Sequence, residues 1–308
     1  MGCTRLAVMA AIAAVCGVSA CGSDDDGGSD RPVALVVEAS DPSEVEVELR
    51  APASVEAGPV RMTLENQGDT LHDAQLFKVD GKRRGTEVVQ EVLEAVDSAP
   101  KPAWIHPAGG VAPVRPGASA TTIQVLEPGT YYIADTQERP DGRRRTNGDK
   151  GGVAKLEVTG EEGGELPKTP ATITADDRDG FKATGLRPGR NRVTFRNAGG
   201  ELHQLVALPV ERDPSRRSDR AALEEGARAA IQRRSETAWV PVDVEGSRAT
   251  TALDSGRELV TELALEPRPY VFVCFVSDRR GGVPHVYKGM ASVLDLSSET
   301  ERPGAGAR

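Results

Sequence analysis

Histidine and cysteine are scarce in this chain, with four of each in 308 residues. Cys3 and Cys16 fall in an N-terminal leader and Cys21 at its end, so Cys274 is the one thiol in the body of the chain. No internal disulfide is open to it, and an exported protein with one spare thiol must bury or occupy it. Aromatic residues amount to only 4%. No Gly-x-Ser-x-Gly elbow, HExxH pair or phosphate-cradling glycine loop followed by Lys is present, which argues against hydrolases and nucleotide-dependent enzymes. The apolar run Leu6 to Val15 is too short to span a bilayer. A net charge of −9 argues against non-specific binding to nucleic acid, and no nucleic-acid partner is expected. The basic clusters Arg143 to Arg145 and Arg212 to Arg220 read as solvated loops.

What is present describes an exported, solvated globular protein. Hydrophobic residues make up 38% and are spread along a length sufficient for two domains. Arg5, the apolar run and the small residues after it form an export signal. Its end, Val18-Ser19-Ala20-Cys21, resembles a bacterial lipoprotein box, which implies removal of residues 1–20, a lipid on Cys21 and anchoring at the outer face of a bacterial membrane. Residues 21–31, rich in Gly, Ser and Asp, read as a flexible tether. The body then divides into domains at 32–160 and 171–297, joined by a linker at 161–170 and followed by a tail at 298–308.

The division rests on an internal repeat. ENQGDTLHDAQLFKV (Glu65 to Val79) matches RNAGGELHQLVALPV (Arg196 to Val210) with Asn, Gly, Leu and His in register at an offset of 131. Upstream, Val60, Met62 and Leu64 answer Asn191, Val193 and Phe195, an alternation ending in an Asn and Gly cluster that predicts a half-buried strand running into a turn. Downstream the offset grows to 139, so residues are inserted between. Helical periodicity fills those insertions at Thr86 to Val96 and Ser218 to Arg234, each followed by a tryptophan, Trp104 and Trp239, that reads as a core anchor. Elsewhere short β-rich runs bounded by Gly and Pro predict an all-β chain. They are Val33 to Val37, Val45 to Leu49, Thr122 to Leu126, Tyr131 to Ala134 and Val153 to Val158, then Ala171 to Ile173, Arg192 to Arg196, Glu258 to Leu265, Tyr270 to Val276 and Ala291 to Leu296. Each half reads as a Greek-key β-sandwich with a short inserted helix.

The chemistry concentrates in YVFVCFVSDRRGGVPHVYKGM, Tyr270 to Met290. Singly, Cys274 suits a buried small hydrophobe, His285 a loop histidine and Met290 a core filler. Together they are soft ligands in one strand-loop unit, and a second imidazole, His203, would complete a trigonal copper site of two His and one Cys with a weak axial Met.

This pattern resembles the cupredoxins, the blue-copper β-sandwich family, over nearly all of residues 171 to 297 and more faintly over the first half. In that family one histidine follows a strand and an Asn and Gly turn, here NAGGELH ending at His203, while Cys, His and Met come from the last strand pair and its loop. The resemblance implies one copper, held by His203, Cys274, His285 and Met290, and one-electron transfer. Four residues separate His285 from Met290, the family's tight form, whereas ten separate Cys274 from His285. The inserted SDRRGG is polar and reads as solvent-exposed, and Gln204 stands where many members carry an Asn that ties the ligand loops. Multicopper oxidases resemble this fold but place a His on each side of the cysteine, where this chain has Val273 and Phe275. A carrier rather than an enzyme is therefore expected.

Applied to the first half, the register places Tyr131 to Asp135 on Tyr270 to Cys274, Asn147 on His285 and Gly152 on Met290, so only His72 survives and no blue site is expected there. His72 and His106 read as structural histidines at the sandwich rim. The alternative function is a non-redox cell-surface binding or copper-capture lipoprotein.

Overall fold

The computed structural model describes residues 31–81, 83, 86–94, 100–137, 146–211 and 242–297. The leader, the Cys21 lipid site, the Ser218 to Arg234 helical candidate, Trp239 and the tail lie outside the described residues. The expected all-β architecture of tandem sandwiches is present.

The first sandwich is built from β1 (Val33–Ser43), β2 (Glu46–Arg50), β3 (Ser54–Glu56), β4 (Gly58–Asn66) and β5 (His72–Val79), helix α1 (Thr86–Glu94), then β6 (Ile105–Val114), β7 (Ser119–Leu126), β8 (Gly129–Ala134) and β9 (Val153–Thr159). One sheet has the order β2-β1-β4-β7 and the facing sheet β3-β9-β8-β5-β6. Strand alternation explains the layering, since Val60, Met62 and Leu64 are fully buried while Arg61 between them is exposed. They meet Ala74, Leu76, Tyr131 and Ile133 from the facing sheet in one core. Each fully buried side chain of this size contributes about 1.5–3 kcal/mol relative to exposure. The other face of β5 and β8 carries Phe77, Val79 and Tyr132, which pack against Val88, Val92 and Leu93 of α1. Trp104 joins that cluster partly buried, with the Arg83 guanidinium stacked 4.0 Å from its ring centre.

The second sandwich repeats the plan with β10 (Ala171–Asp176), β11 (Gly180–Thr184), β12 (Gly189–Asn197), β13 (Val206–Pro209), β14 (Arg248–Ala249), β15 (Glu258–Leu265), β16 (Pro269–Val273) and β17 (Ala291–Asp295). Its sheets run β11-β10-β12-β15 and β14-β13-β16-β17. Apart from the short β3 beside β9, which has no counterpart, the pairings correspond: β1 lies parallel to β4 as β10 does to β12, and β5 pairs antiparallel with β8 as β13 does with β16. Tyr131 and Tyr270 open equivalent strands, and each hydroxyl bonds the backbone four residues upstream, at Glu127 and Glu266.

The sandwiches share a sheet. β7 and β15, equivalent strands of the repeat, pair antiparallel through Leu259 opposite Gln124 and Val260 opposite Ile123, giving one eight-stranded sheet. Gln75 reinforces the junction: its amide donates to the Ala252 carbonyl at 3.1 Å and its oxygen accepts from the Ala252 N–H at 2.7 Å.

Candidate metal centre

The repeat motif has a structural reason at each matched residue. Asn197 ends β12 fully buried, and its amide donates to the carbonyls of Glu201 and Leu253 at 2.8 and 3.0 Å while its oxygen accepts from the Gly199 N–H. Asn66 makes the same three bonds to Thr70, Val114 and Gly68. This side chain closes the turn that delivers the histidine. The glycines make room behind it, since a Cβ at Gly199 would stand 2.3 Å from Asp177 and 2.8 Å from His203 Nε2, and one at Gly68 would stand 2.5 Å from Asp41 and 2.7 Å from His72 Nε2.

His203 then enters the core at 1% exposure, locked by reciprocal backbone bonds with Leu253. Its Nε2 lies 2.8 Å from Asp177 Oδ1. Its Nδ1, on the inward side, is buried without a hydrogen-bond partner among the described residues. A neutral imidazole donating from Nε2 to a carboxylate leaves an Nδ1 lone pair free to ligate. Burial lowers the pKa of His203, against the pull of Asp177, and favours that neutral form.

Cys274 follows β16 directly and is fully buried. The backbone amides of Gln204 and Val276 act on its sulfur in the direction that favours the thiolate. That influence comes from the main chain at position 204, so it does not depend on whether the side chain is Gln or Asn. Burial pushes the thiol up to about 11, because an unpaired thiolate there would be desolvated. A bound cation would supply the missing charge and displace the proton.

His285 begins a short 3-10 turn, His285 to Lys288, closed by Gly289 at φ 99°. Its Nδ1 lies 3.5 Å from Cys274 Sγ, and its ring centre 4.9 Å from that of His203. Its Nε2 lies 2.8 Å from Asp278 Oδ1. Lys288 pairs with the other oxygen of Asp278 and holds that carboxyl below the usual carboxylate range. Ligand atoms of His203, Cys274 and His285 all lie within 4.8 Å of one another. A trigonal site of two nitrogens and one sulfur, with bonds of about 2.0–2.3 Å, has edges of about 3.6–3.8 Å, so the donor set fits a soft metal with small adjustment. Met290, buried in the same core cluster as Cys274, lines the depression beside both histidines, with its N–H bonded to the His285 carbonyl.

Two features were not foreseen. Neither carboxylate partner, Asp177 or Asp278, was among the expected site residues. The repeat held a signal for the first: Ala175 and Ala39 sit opposite the matched Asn197 and Asn66, and an Asp follows each Ala two residues on. The SDRRGG insertion, expected to be solvent-exposed, is instead partly docked. Ser277 is 4% exposed and the Arg279 side chain is largely covered, because both bond to the first sandwich; Arg280 and Gly282 do face solvent.

The corresponding place in the first sandwich is filled by hydrogen bonds. Gly148 N–H bonds the Asp135 carbonyl at 2.8 Å, as Val286 N–H bonds that of Cys274, which aligns Asn147 with His285 and Asp135 with Cys274. The Nδ1 of His72 lies 2.5 Å from Asp135, its Nε2 lies 3.1 Å from Asp41, and the Asn147 amide donates to Asp135 at 3.0 Å. Burial opposes protonation of His72, but the two carboxylates outweigh it and raise its pKa. At the Met290 position, a Cβ on Gly152 would meet the Asn147 carbonyl at 2.9 Å, leaving no room for methionine. His106 sits apart, between Asp254 at 2.8 Å and Asp80 at 2.9 Å.

No protein-family model matches the sequence, and no curated protein matches it. Solved structures similar to the chain include the Na-dithionite reduced auracyanin of Roseiflexus castenholzii, at 20% identity and TM-score 0.27, covering 41% of this chain and 97% of that one. The azurin Az-iso2 of Methylomonas sp. strain J matches at 11% identity and TM-score 0.28, covering 42% and 98%. A multicopper oxidase matches at 13% identity and TM-score 0.23, covering 85% of this chain and 88% of its own. These likenesses are distant, and the cupredoxin-like character lies in the chain's own strand order and site. Fold and donor set together define a tandem cupredoxin-like protein with a buried His-Cys-His group suited to copper.

Proposed function

We propose that the second sandwich binds one copper of the type 1 class through His203 Nδ1, Cys274 Sγ and His285 Nδ1, with Met290 as the axial donor, and that the protein is a one-electron carrier. The observation that carries this reading is the buried, unpartnered Nδ1 of His203 facing a thiol and a second Nδ1. Bound copper would supply the Cu(II)/Cu(I) couple. The protein's part is to hold the donors in place. Asp177 and Asp278 fix the outer nitrogens of the two rings, the backbone of Gln204 and Val276 stabilises the sulfur, and the apolar core cluster around Cys274 and Met290 keeps water away. A site that cannot rearrange limits the reorganisation between two oxidation states.

A carrier is favoured over an oxidase because the remaining histidines are committed elsewhere, His72 to Asp135 and Asp41 and His106 to Asp254 and Asp80. No helix among the described residues is long and apolar enough to cross a membrane. Within this proposal the chain is exported and held at the outer membrane face by a lipid on Cys21. Protein-film voltammetry of the copper-loaded chain should show one reversible one-electron wave; a metal that loads but gives no reversible wave would favour the copper-capture alternative. A shift of expressed protein from the membrane to the soluble fraction on Cys21→Ser tests the anchor.

A further inference from the structure

The loop between Cys274 and His285 has ten residues, and its middle touches the first sandwich rather than the second alone. Arg279 donates from one guanidinium nitrogen to the Ile105 carbonyl of the first sandwich at 3.1 Å, and from another to Asp254, which also holds His106 of the first sandwich. Its backbone is held too: the Arg279 N–H donates to Glu201 at 2.8 Å and its carbonyl accepts from Lys101 N–H of the first sandwich at 2.7 Å. Lys101 Nζ reaches Ser277 Oγ at 3.0 Å. Between those two anchored residues lies Asp278, the carboxylate that accepts from His285 Nε2.

We infer that the first sandwich, whose described residues hold no metal donor set, serves as the positioning platform for the metal loop of the second, with Arg279 as the positioning residue that fixes Asp278 and through it the ring of His285. The inference rests on the copper reading for its purpose but not for its geometry. A flexible loop of ten residues would leave the His285 ring free to turn, and ring orientation decides whether Nδ1 or Nε2 faces the thiol. Docking the two residues that flank Asp278 removes that freedom. Joining the domains is a separate matter. The Gln75–Ala252 pair, the Gly109 N–H to Ala252 carbonyl bond and the β7–β15 pairing all hold the sandwiches together without touching the loop. Losing the Arg279 side chain should therefore loosen the loop, which keeps only its backbone bonds to Glu201 and Lys101 and the Ser277 contact, and leave the domains joined.

The test uses the full chain from Asp30 onward, without metal, and reads the His285 imidazole by long-range proton–nitrogen NMR. In the unsubstituted protein the ring should show a single tautomer with the proton on Nε2. Arg279→Ala should broaden those signals or average the tautomers, and Lys101→Ala should do so more weakly. Gln75→Ala, which removes bonds at the domain junction and to Leu76 and Gly109 of the first sandwich but none to the loop, should leave them unchanged. A second arm titrates Cu(II) against a chromophoric competitor, where Arg279→Ala should weaken binding about tenfold, as loss of an outer-shell support typically does. The positioning role is overturned if Arg279→Ala leaves the His285 signals as they were, or if Gln75→Ala disturbs them equally. Absence of copper binding in the unsubstituted protein would remove the copper reading alone, because the imidazole signals report the positioning independently. Should Arg279→Ala fold poorly by circular dichroism, the Lys101→Ala spectrum decides the matter by the same criterion.

Discussion

Replacing Asp177 separates an orienting carboxylate from a bystander. Its Oδ1 lies 2.8 Å from His203 Nε2, while it also accepts from the Gly200 and Glu201 N–H groups at 2.7 and 3.3 Å. Burial opposes its ionisation, but those bonds and His203 outweigh it and hold its pKa down, so it is a carboxylate at neutral pH. Loss of an outer-shell partner costs about 10–100-fold in metal affinity. Asp177 has 41% of its side chain exposed, so water can replace part of its role and the low end applies, about tenfold or roughly 1.4 kcal/mol for Asp177→Ala. Asp177→Asn keeps an oxygen acceptor but no charge. Since charge-assisted bonds are roughly twice as strong as neutral ones, it should lose about half of that energy, or about threefold. Competition titration of Cu(II) against a chelator of known affinity measures both. An Asp177→Ala affinity equal to that of the parent would refute the argument that this carboxylate sets the His203 tautomer.

Other expectations concern the first sandwich. Asp135→Ala should leave copper stoichiometry unchanged while lowering stability, because His72 loses its nearest carboxylate in a site with no exposure; a copper lost in that variant, counted by atomic absorption, would show that the first sandwich also binds metal. Asp73 sits beside it, bonded to the Thr136 N–H and hydroxyl and to the Gln137 amide, and burial together with the Asp135 charge pushes its pKa up to about 7. A carboxyl with a raised folded-state pKa keeps a proton that the unfolded chain releases near pH 3.8, so its contribution favours folding below that pH and declines as pH rises to about 7. Urea unfolding from pH 4 to about 8 should therefore show the parent losing stability relative to Asp73→Asn across that window; parallel profiles would place the titration elsewhere.

How much of this was legible in the sequence varied with the physics involved. Alternation exposed β4 and β12 because one face of each is buried and the other wet. No such cue marked β5, whose two faces are both covered, by the first core and by α1, so nearly every residue is buried and the period disappears. β6 was hidden by Pro107, Gly109 and Gly110. The last is required, since a Cβ on Gly110 would stand 2.0 Å from the Ala74 carbonyl where the β5–β6 register shifts. The scarcity of Cys and His made their positions informative, and the structure brings His203, Cys274 and His285 together with Met290 beside them. Asp278 was unreadable because its role depends on where a long loop docks. The β7–β15 junction was equally silent, as strand edges pair through backbone groups that side chains do not encode.

The proposed copper site depends above all on Cys274 as a ligand. The most direct measurement is the visible spectrum of the chain from Asp30 onward on addition of Cu(II), with Cys274→Ser in parallel. An intense blue thiolate charge-transfer band is expected, saturating at one copper per chain and absent from the serine variant. A parent protein with no such band, or a band that persists in Cys274→Ser, would contradict it.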